Sequence, residues 1–213
     1  MDNNSQFLNQ ISSQLNFDCS VHIDNLNNDD NTIFRSCKSR QCGLCCNFKH
    51  DSSFKSTTTN RSYKAKVPDN VYLVDCNTQN CIYLITCSVC NMQYVGETVQ
   101  RVKDRVNSHR KGLKNPEKDN TCNILYRHFN SVLCEKATYT VQVIEVLQGT
   151  GRDNNNKVDV KATKIRRQRE TEWMLKLRTV HPYGLNDRIG NEYRSTLTST
   201  IALFFPKLDR KSQ

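Results

Sequence analysis

The stretch CIYLITCSVCNMQYVGET, Cys81 to Thr98, carries two runs of β-branched and aromatic residues on either side of a Ser88-Val89-Cys90 turn. Side chains of this kind suit a pleated, half-buried backbone, so the stretch reads as two strands. Just upstream, NVYLVDC at 70–76 has the same character and is separated from Cys81 by Asn-Thr-Gln-Asn, which reads as the turn of a hairpin between those two runs. Tyr83 and Tyr94 therefore fall on neighbouring strands, among closely spaced cysteines.

Beyond Thr98, Val102, Val106 and Leu113 recur at helical spacing, and Gly112 and Pro116 mark the end of that helix. Arg105 and His109 interleave with the series and are expected on or beside its inward face. A short helix is predicted around Ile124 to Phe129, a strand YTVQVIEV at Tyr139 to Val146, and a surface loop at QGTGRDNNNK. A long helix follows from about Ala162 to Arg178, with Ile165, Trp173, Met174 and Leu177 along it, and it stops where Pro182 and Gly184 break it. Glu170 stands three residues before Trp173 and four before Met174, so a carboxylate shares the stripe this helix buries. Trp173 itself is expected in the core.

Upstream, residues 1–35 are rich in Asn, Ser and Asp and read as disordered or linker. A cysteine-rich extension at 36–69 follows, then the main domain at 70–190 and a tail at 191–213 that reads either as a docking strand or as the start of something further.

The chain has 213 residues, a formal net charge of +10 and 36% hydrophobic residues. The charge favours an anionic macromolecular partner over a small-molecule substrate, and nucleic acid leads. No apolar run approaches the roughly 20 residues that cross a bilayer, and the N-terminus lacks the pattern of a secretory signal, so no membrane partner is expected. Eleven cysteines, an odd number and several in CxxC spacing, fit thiolate metal ligands in a reducing compartment better than disulfides. The expected setting is intracellular and nuclear.

A carboxylate on the buried side, an Arg and His one turn apart and two tyrosines on adjacent strands suit phosphodiester hydrolysis. That reaction needs a water, a base to deprotonate it and cations to neutralise the transition state. Glu170 suits Mg²⁺ or Mn²⁺, and Arg105 a non-bridging phosphate oxygen. A tyrosine beside such positive charge is expected to have a lowered pKa and to act as the base.

These residues resemble the GIY-YIG nuclease domain: CIY at Cys81–Tyr83, YVG at Tyr94–Gly96, Arg105 with His109, Glu170 in RETEW and Asn186 in YGLN. YLITCSVCNMQYVGET with RRQRETEWMLKLRTVHPYGLN is similar, more closely, to the endonuclease of Penelope-like retroelements. The resemblance spans about residues 37–188. It implies a small α+β domain with a central three-stranded antiparallel sheet flanked by helices, and metal-dependent nicking of DNA for retroelement integration beside a reverse transcriptase. It also implies Tyr83 as general base, Tyr94 positioning water or phosphate, Arg105 stabilising the transition state, and His109 assisting Tyr83 or touching phosphate. Glu170 would bind the metal and Asn186 brace the site. The first motif departs from the family in having Cys81 where glycine stands.

In the Penelope-like group cysteines of this kind look like a zinc site, which Cys37, Cys42, Cys45, Cys76, Cys87 and Cys90 match. The predicted hairpin puts Cys76 and Cys81 at its turn, leaving Cys42, Cys45, Cys87 and Cys90 to form a tetrahedral zinc site, with Cys37 or His50 as rivals. Cys19, Cys46, Cys81, Cys122 and Cys134 are expected to be fillers or free thiols. Arg101, Lys103, Arg110, Lys111, Lys164, Arg166 and Arg167 are expected to contact DNA phosphates. Two alternatives stand beside the nuclease: a catalytically inactive zinc-containing nucleic-acid-binding module, and redox chemistry at Cys87-x-x-Cys90.

Overall fold

The structure, a computed structural model, describes residues 32–114, 124–131, 137–153, 155–187 and 189. The readings made for 1–31, for 191–213 and for Cys122 and Cys134 fall outside these residues. In chain order the elements are β1 (Ile33–Phe34), β2 (Ser53–Lys55), β3 (Ser62–Lys64), β4 (Leu73–Val74), β5 (Cys81–Cys87), β6 (Gln93–Thr98), α1 (Val102–Lys114), α2 (Ile124–Phe129), β7 (Tyr139–Val146) and α3 (Val160–Leu177). No helix among the described residues is long and apolar enough to cross a membrane.

A three-stranded antiparallel sheet of order β6-β5-β7 forms the centre. This corrects one expectation. NVYLVDC does not pair with β5; its Leu73 and Val74 lie parallel to Ile33 and Phe34 of β1, and YTVQVIEV takes the place beside β5. β5, in the middle, is apolar on both faces and needs cover on both. Tyr83 and Ile85 pack with Val102 and Val106 of α1 and with Leu125 and Phe129 of α2. Ile82 and Leu84 pack on the other face against Trp173, Met174 and Leu177 of α3 and Phe54 of the β2–β3 hairpin.

A bulge in β7 opposite Ile82 and Tyr83 leaves Ile144 unmatched between Val143 and Glu145. An extra residue shifts the alternation of the strand. Glu145 thereby meets α3, where it accepts from Trp173 Nε1 at 2.6 Å and from Arg169 Nε at 2.8 Å. Asp159 caps the start of α3 by accepting from the Lys161 and Ala162 amides, and Arg178, left-handed at φ 53°, closes its end.

The outer edge of β6 is closed by side chains and backbone rather than by another strand. Leu185 N–H donates to Gln93 O at 2.8 Å, and the Asn186 amide takes both groups of Val95, accepting from N at 2.9 Å and donating to O at 2.7 Å. An open edge is a template for foreign strands, and these contacts remove it while pinning the segment after α3 to the sheet.

Candidate active site

Tyr83 sits in the middle strand with no exposed surface, its ring lying across Gly96 of β6. A Cβ on Gly96 would stand 2.4 Å from both Cζ and Oη of Tyr83 and 2.8 Å from Cε1 of Tyr94. The glycine of the YVG motif is thus a packing requirement of the two tyrosines. Tyr94, paired across from Ile85, shares that face, with its ring centroid 6.4 Å from that of Tyr83 and 5.7 Å from that of His109.

α1 carries the next two groups. Its first turn is anchored where the Val102 and Lys103 amides donate to the carbonyls of Thr78 and Cys76. His109 is buried, with Nε2 2.8 Å from Tyr83 Oη and Nδ1 3.4 Å from Tyr126 Oη. Burial, with the Arg105 charge adding to it, brings this imidazole down to about 4, so the ring is neutral at physiological pH. Arg105 lies beside the inward face of α1, exposed as a residue, with its guanidinium acting on both phenols and bonding Tyr83.

Glu170, in the middle of α3, accepts the Glu97 amide on the β6 edge and lies in the field of Arg105 and both tyrosines. Its carboxyl is pushed up to about 8, by burial first and then by the Glu97 carboxylate. A carboxylate held this way lacks enough positive charge around it, which suits it to a divalent cation.

The phenols themselves correct an expectation. Both are held above the ordinary tyrosine value, because desolvation outweighs the lowering by Arg105. Phenolate is not their resting state, and Tyr83 is a hydroxyl bonded to imidazole. Cys81, where the resemblance expects glycine, is fully buried with its thiol pushed up to about 12, again chiefly by burial.

Glu97 escaped the sequence reading although it adjoins the YVG motif. Its carboxylate accepts from Arg166 Nε at 2.5 Å, and Arg166 also donates to Asn80 Oδ1 at 3.1 Å. Arg166 is 2% exposed, so its expected contact with DNA phosphates is withdrawn: a charge run looks solvated in sequence, but this member turns inward to pair Glu97. Arg101, Arg110, Lys111, Lys164 and Arg167 are exposed and Lys103 half-exposed; Arg101 pairs with Asp104 at 2.6 Å, and Arg110 donates to Gly43 O at 3.2 Å.

The cysteines group differently from the expected set. Cys42 and Cys45 stand with Cys37 and Cys76, all four sulfurs within 4.8 Å of one another. The parallel pairing of β1 with β4 is the reason, since it delivers Cys37 and Cys76 side by side just past the paired residues. Sulfurs 3.4 Å apart for Cys37 and Cys45, and 3.6 Å for Cys45 and Cys76, are far beyond a disulfide of about 2.05 Å. They approach the spacing of thiolates around a tetrahedral metal with Zn–S of about 2.3 Å. Burial, with neighbouring sulfurs adding to it, pushes Cys45 up to about 12 and raises Cys76 as well, while Cys42, against its burial, is lowered by hydrogen bonds from the backbone and from Cys45 and Cys37. Cys87 and Cys90 instead meet His128 of α2, with Cys90 Sγ 3.3 Å from Nε2. The predicted tetrad of Cys42, Cys45, Cys87 and Cys90 is therefore not assembled, and His50 is outside both groups.

Two phenols, a neutral imidazole, a guanidinium and an under-neutralised carboxylate gathered at one edge of a small α+β sheet form a nuclease-type constellation. Residues 79–183 match the family model of the GIY-YIG catalytic domain, which implies nuclease-type function on DNA with divalent metal ions. No curated protein and no solved structure matches the chain.

Proposed function

We propose that the protein is an endonuclease that nicks DNA by hydrolysis. The observation that supports this most is the 2.8 Å contact between a buried tyrosine and a neutral histidine beside Arg105 and Glu170. A water attacks the phosphorus and gives its proton to Tyr83 Oη, while the phenol proton passes to His109 Nε2. The P–O3′ bond breaks, and the leaving oxygen takes a proton from solvent to become a 3′ hydroxyl. Arg105 meets the charge that develops on the phosphate oxygens, Tyr94 orients the phosphate, and Asn186 holds β6 in place. Glu170 would hold Mg²⁺ or Mn²⁺, which supplies Lewis-acid neutralisation of that charge.

Arg101, Lys103, Arg110, Lys111, Lys164 and Arg167 contact the DNA backbone in this reading, and Cys37, Cys42, Cys45 and Cys76 hold a structural zinc. The resemblance to Penelope-like endonucleases supports a role in retroelement integration in the nucleus, where the 3′ hydroxyl at the nick primes a reverse transcriptase. Incubation with supercoiled plasmid and Mg²⁺ or Mn²⁺ tests the reading: open circles that a polymerase extends are expected. Folded protein that nicks no substrate with any divalent metal would overturn it. The raised pKa of both phenols favours a second reading, a silent nucleic-acid-binding module, whose DNA affinity alone would survive in that experiment.

A further inference from the structure

We propose that Tyr126 is a positioning residue of this site, fixing His109 in the tautomer that can take the proton of Tyr83. The inference rests on the nuclease reading above for its consequence, but its geometry stands independently. His109 lies between two phenols, Tyr83 Oη at 2.8 Å from Nε2 and Tyr126 Oη at 3.4 Å from Nδ1. The ring is 5% exposed, so these hydroxyls replace water as its partners.

A neutral imidazole has one N–H and one acceptor nitrogen, and the contact made by one nitrogen decides the role of the other. Arg105 weights the choice between the two. A guanidinium only donates, and it bonds Tyr83, whose oxygen is therefore already an acceptor. Tyr83 directs its own proton at Nε2, leaving the N–H on Nδ1, where Tyr126 Oη receives it. The opposite tautomer would aim two donors, Arg105 and Nε2–H, at one phenol oxygen and leave Tyr83 no basic nitrogen to receive its proton.

The placement of Tyr126 has its own structural cause. It projects from α2, one residue after Leu125, which is buried against β5, and two before His128, which meets Cys90 at the β5–β6 turn. The ring of Tyr126 also stands at 67° to that of His109, centroids 6.1 Å apart. Tyr126→Phe keeps this ring and removes only the acceptor oxygen.

The test is the tautomer of His109 read from ¹⁵N shifts of its ring nitrogens in histidine-labelled full-length protein, with His109→Gln assigning the signal. Wild type is expected to carry the proton on Nδ1. Tyr126→Phe is expected to move it wholly or partly to Nε2 and to lower kcat for plasmid nicking about tenfold, with DNA affinity unchanged and the protein still folded at the assay temperature. A wild-type ring protonated on Nε2, a tautomer unaffected by Tyr126→Phe, or a shifted tautomer with undiminished nicking by an active enzyme would each overturn the proposal. Were the wild type inactive on DNA, the nuclease reading would fail, while the ring-nitrogen shifts would still decide whether Tyr126 sets the tautomer.

Discussion

Gly96 and Tyr83 are opposed across β5 and β6 so closely that one added methyl group would fall 2.4 Å from the phenol oxygen. The tyrosine's reach toward His109 depends on the missing side chain. Both strands are locked in register, so neither backbone can move to make room. Gly96→Ala is expected to destabilise the domain by about 1–3 kcal/mol and to abolish nicking. Urea unfolding checks the first, and the double variant Gly96→Ala with Tyr83→Leu should recover stability but not activity.

Glu170→Gln keeps the volume of the side chain and removes its charge. Nicking is expected to fall on the order of 100-fold or more, as when a transition-state charge loses its neutralisation, while DNA affinity without metal is retained. Arg105→Ala should do the same, because it removes the guanidinium that bonds Tyr83 and acts on both phenols. Plasmid relaxation and fluorescence anisotropy on the same preparations measure the two effects.

Stability should depend on pH through two groups of opposite sign. His109 is held at about 4, so between the ordinary histidine value and 4 the unfolded chain binds a proton that the folded protein refuses. Its contribution is complete above about 6.5 and is lost as pH falls, by up to about 3 kcal/mol. Glu170, pushed up to about 8, binds its proton before the unfolded chain does, so its contribution is complete below about 4.3 and is lost as pH rises through 8. Urea midpoints across pH 4 to 8 should lose the first trend in His109→Gln and the second in Glu170→Gln.

Arg166 and Arg167 are neighbours in sequence with opposite expected behaviour. Arg166→Ala leaves the Glu97 carboxylate without its buried partner and should cost about 3–5 kcal/mol of stability. Arg167→Ala should leave the fold intact and reduce the salt dependence of DNA binding by about one unit of slope.

That pair also shows where sequence stops being legible. The periodic elements could be read: Tyr139–Val146 and Ile124–Phe129 lie where their patterns put them, and both long helices begin and end within a few residues of expectation. Partner choice could not. NVYLVDC and YTVQVIEV are equally strand-like, and which of them pairs with β5 is a long-range contact that local pattern does not carry. The cysteine grouping followed the same error, because Cys76 is carried to Cys37 by the pairing of β4 with a segment read as linker. Tyr126 had no signal at all: nothing in spacing links a residue of a short helix to a histidine on another.

For the cysteines, purified protein should contain zinc, and Cys76→Ser should destabilise it on the order of several kcal/mol, since metal affinity there is folding energy. Cys46→Ser, at an exposed position outside the group, should have little effect. Metal analysis together with thermal melts before and after chelation checks both.

The most direct measurement is the nicking rate of Tyr83→Phe, which removes one oxygen and keeps the packed ring over Gly96. A Tyr83 that receives the proton of the attacking water predicts a loss on the order of 100-fold or more with DNA affinity as in wild type, in protein that stays folded although the lost bond to His109 lowers its thermal midpoint. Nicking at the wild-type rate by Tyr83→Phe would contradict the account.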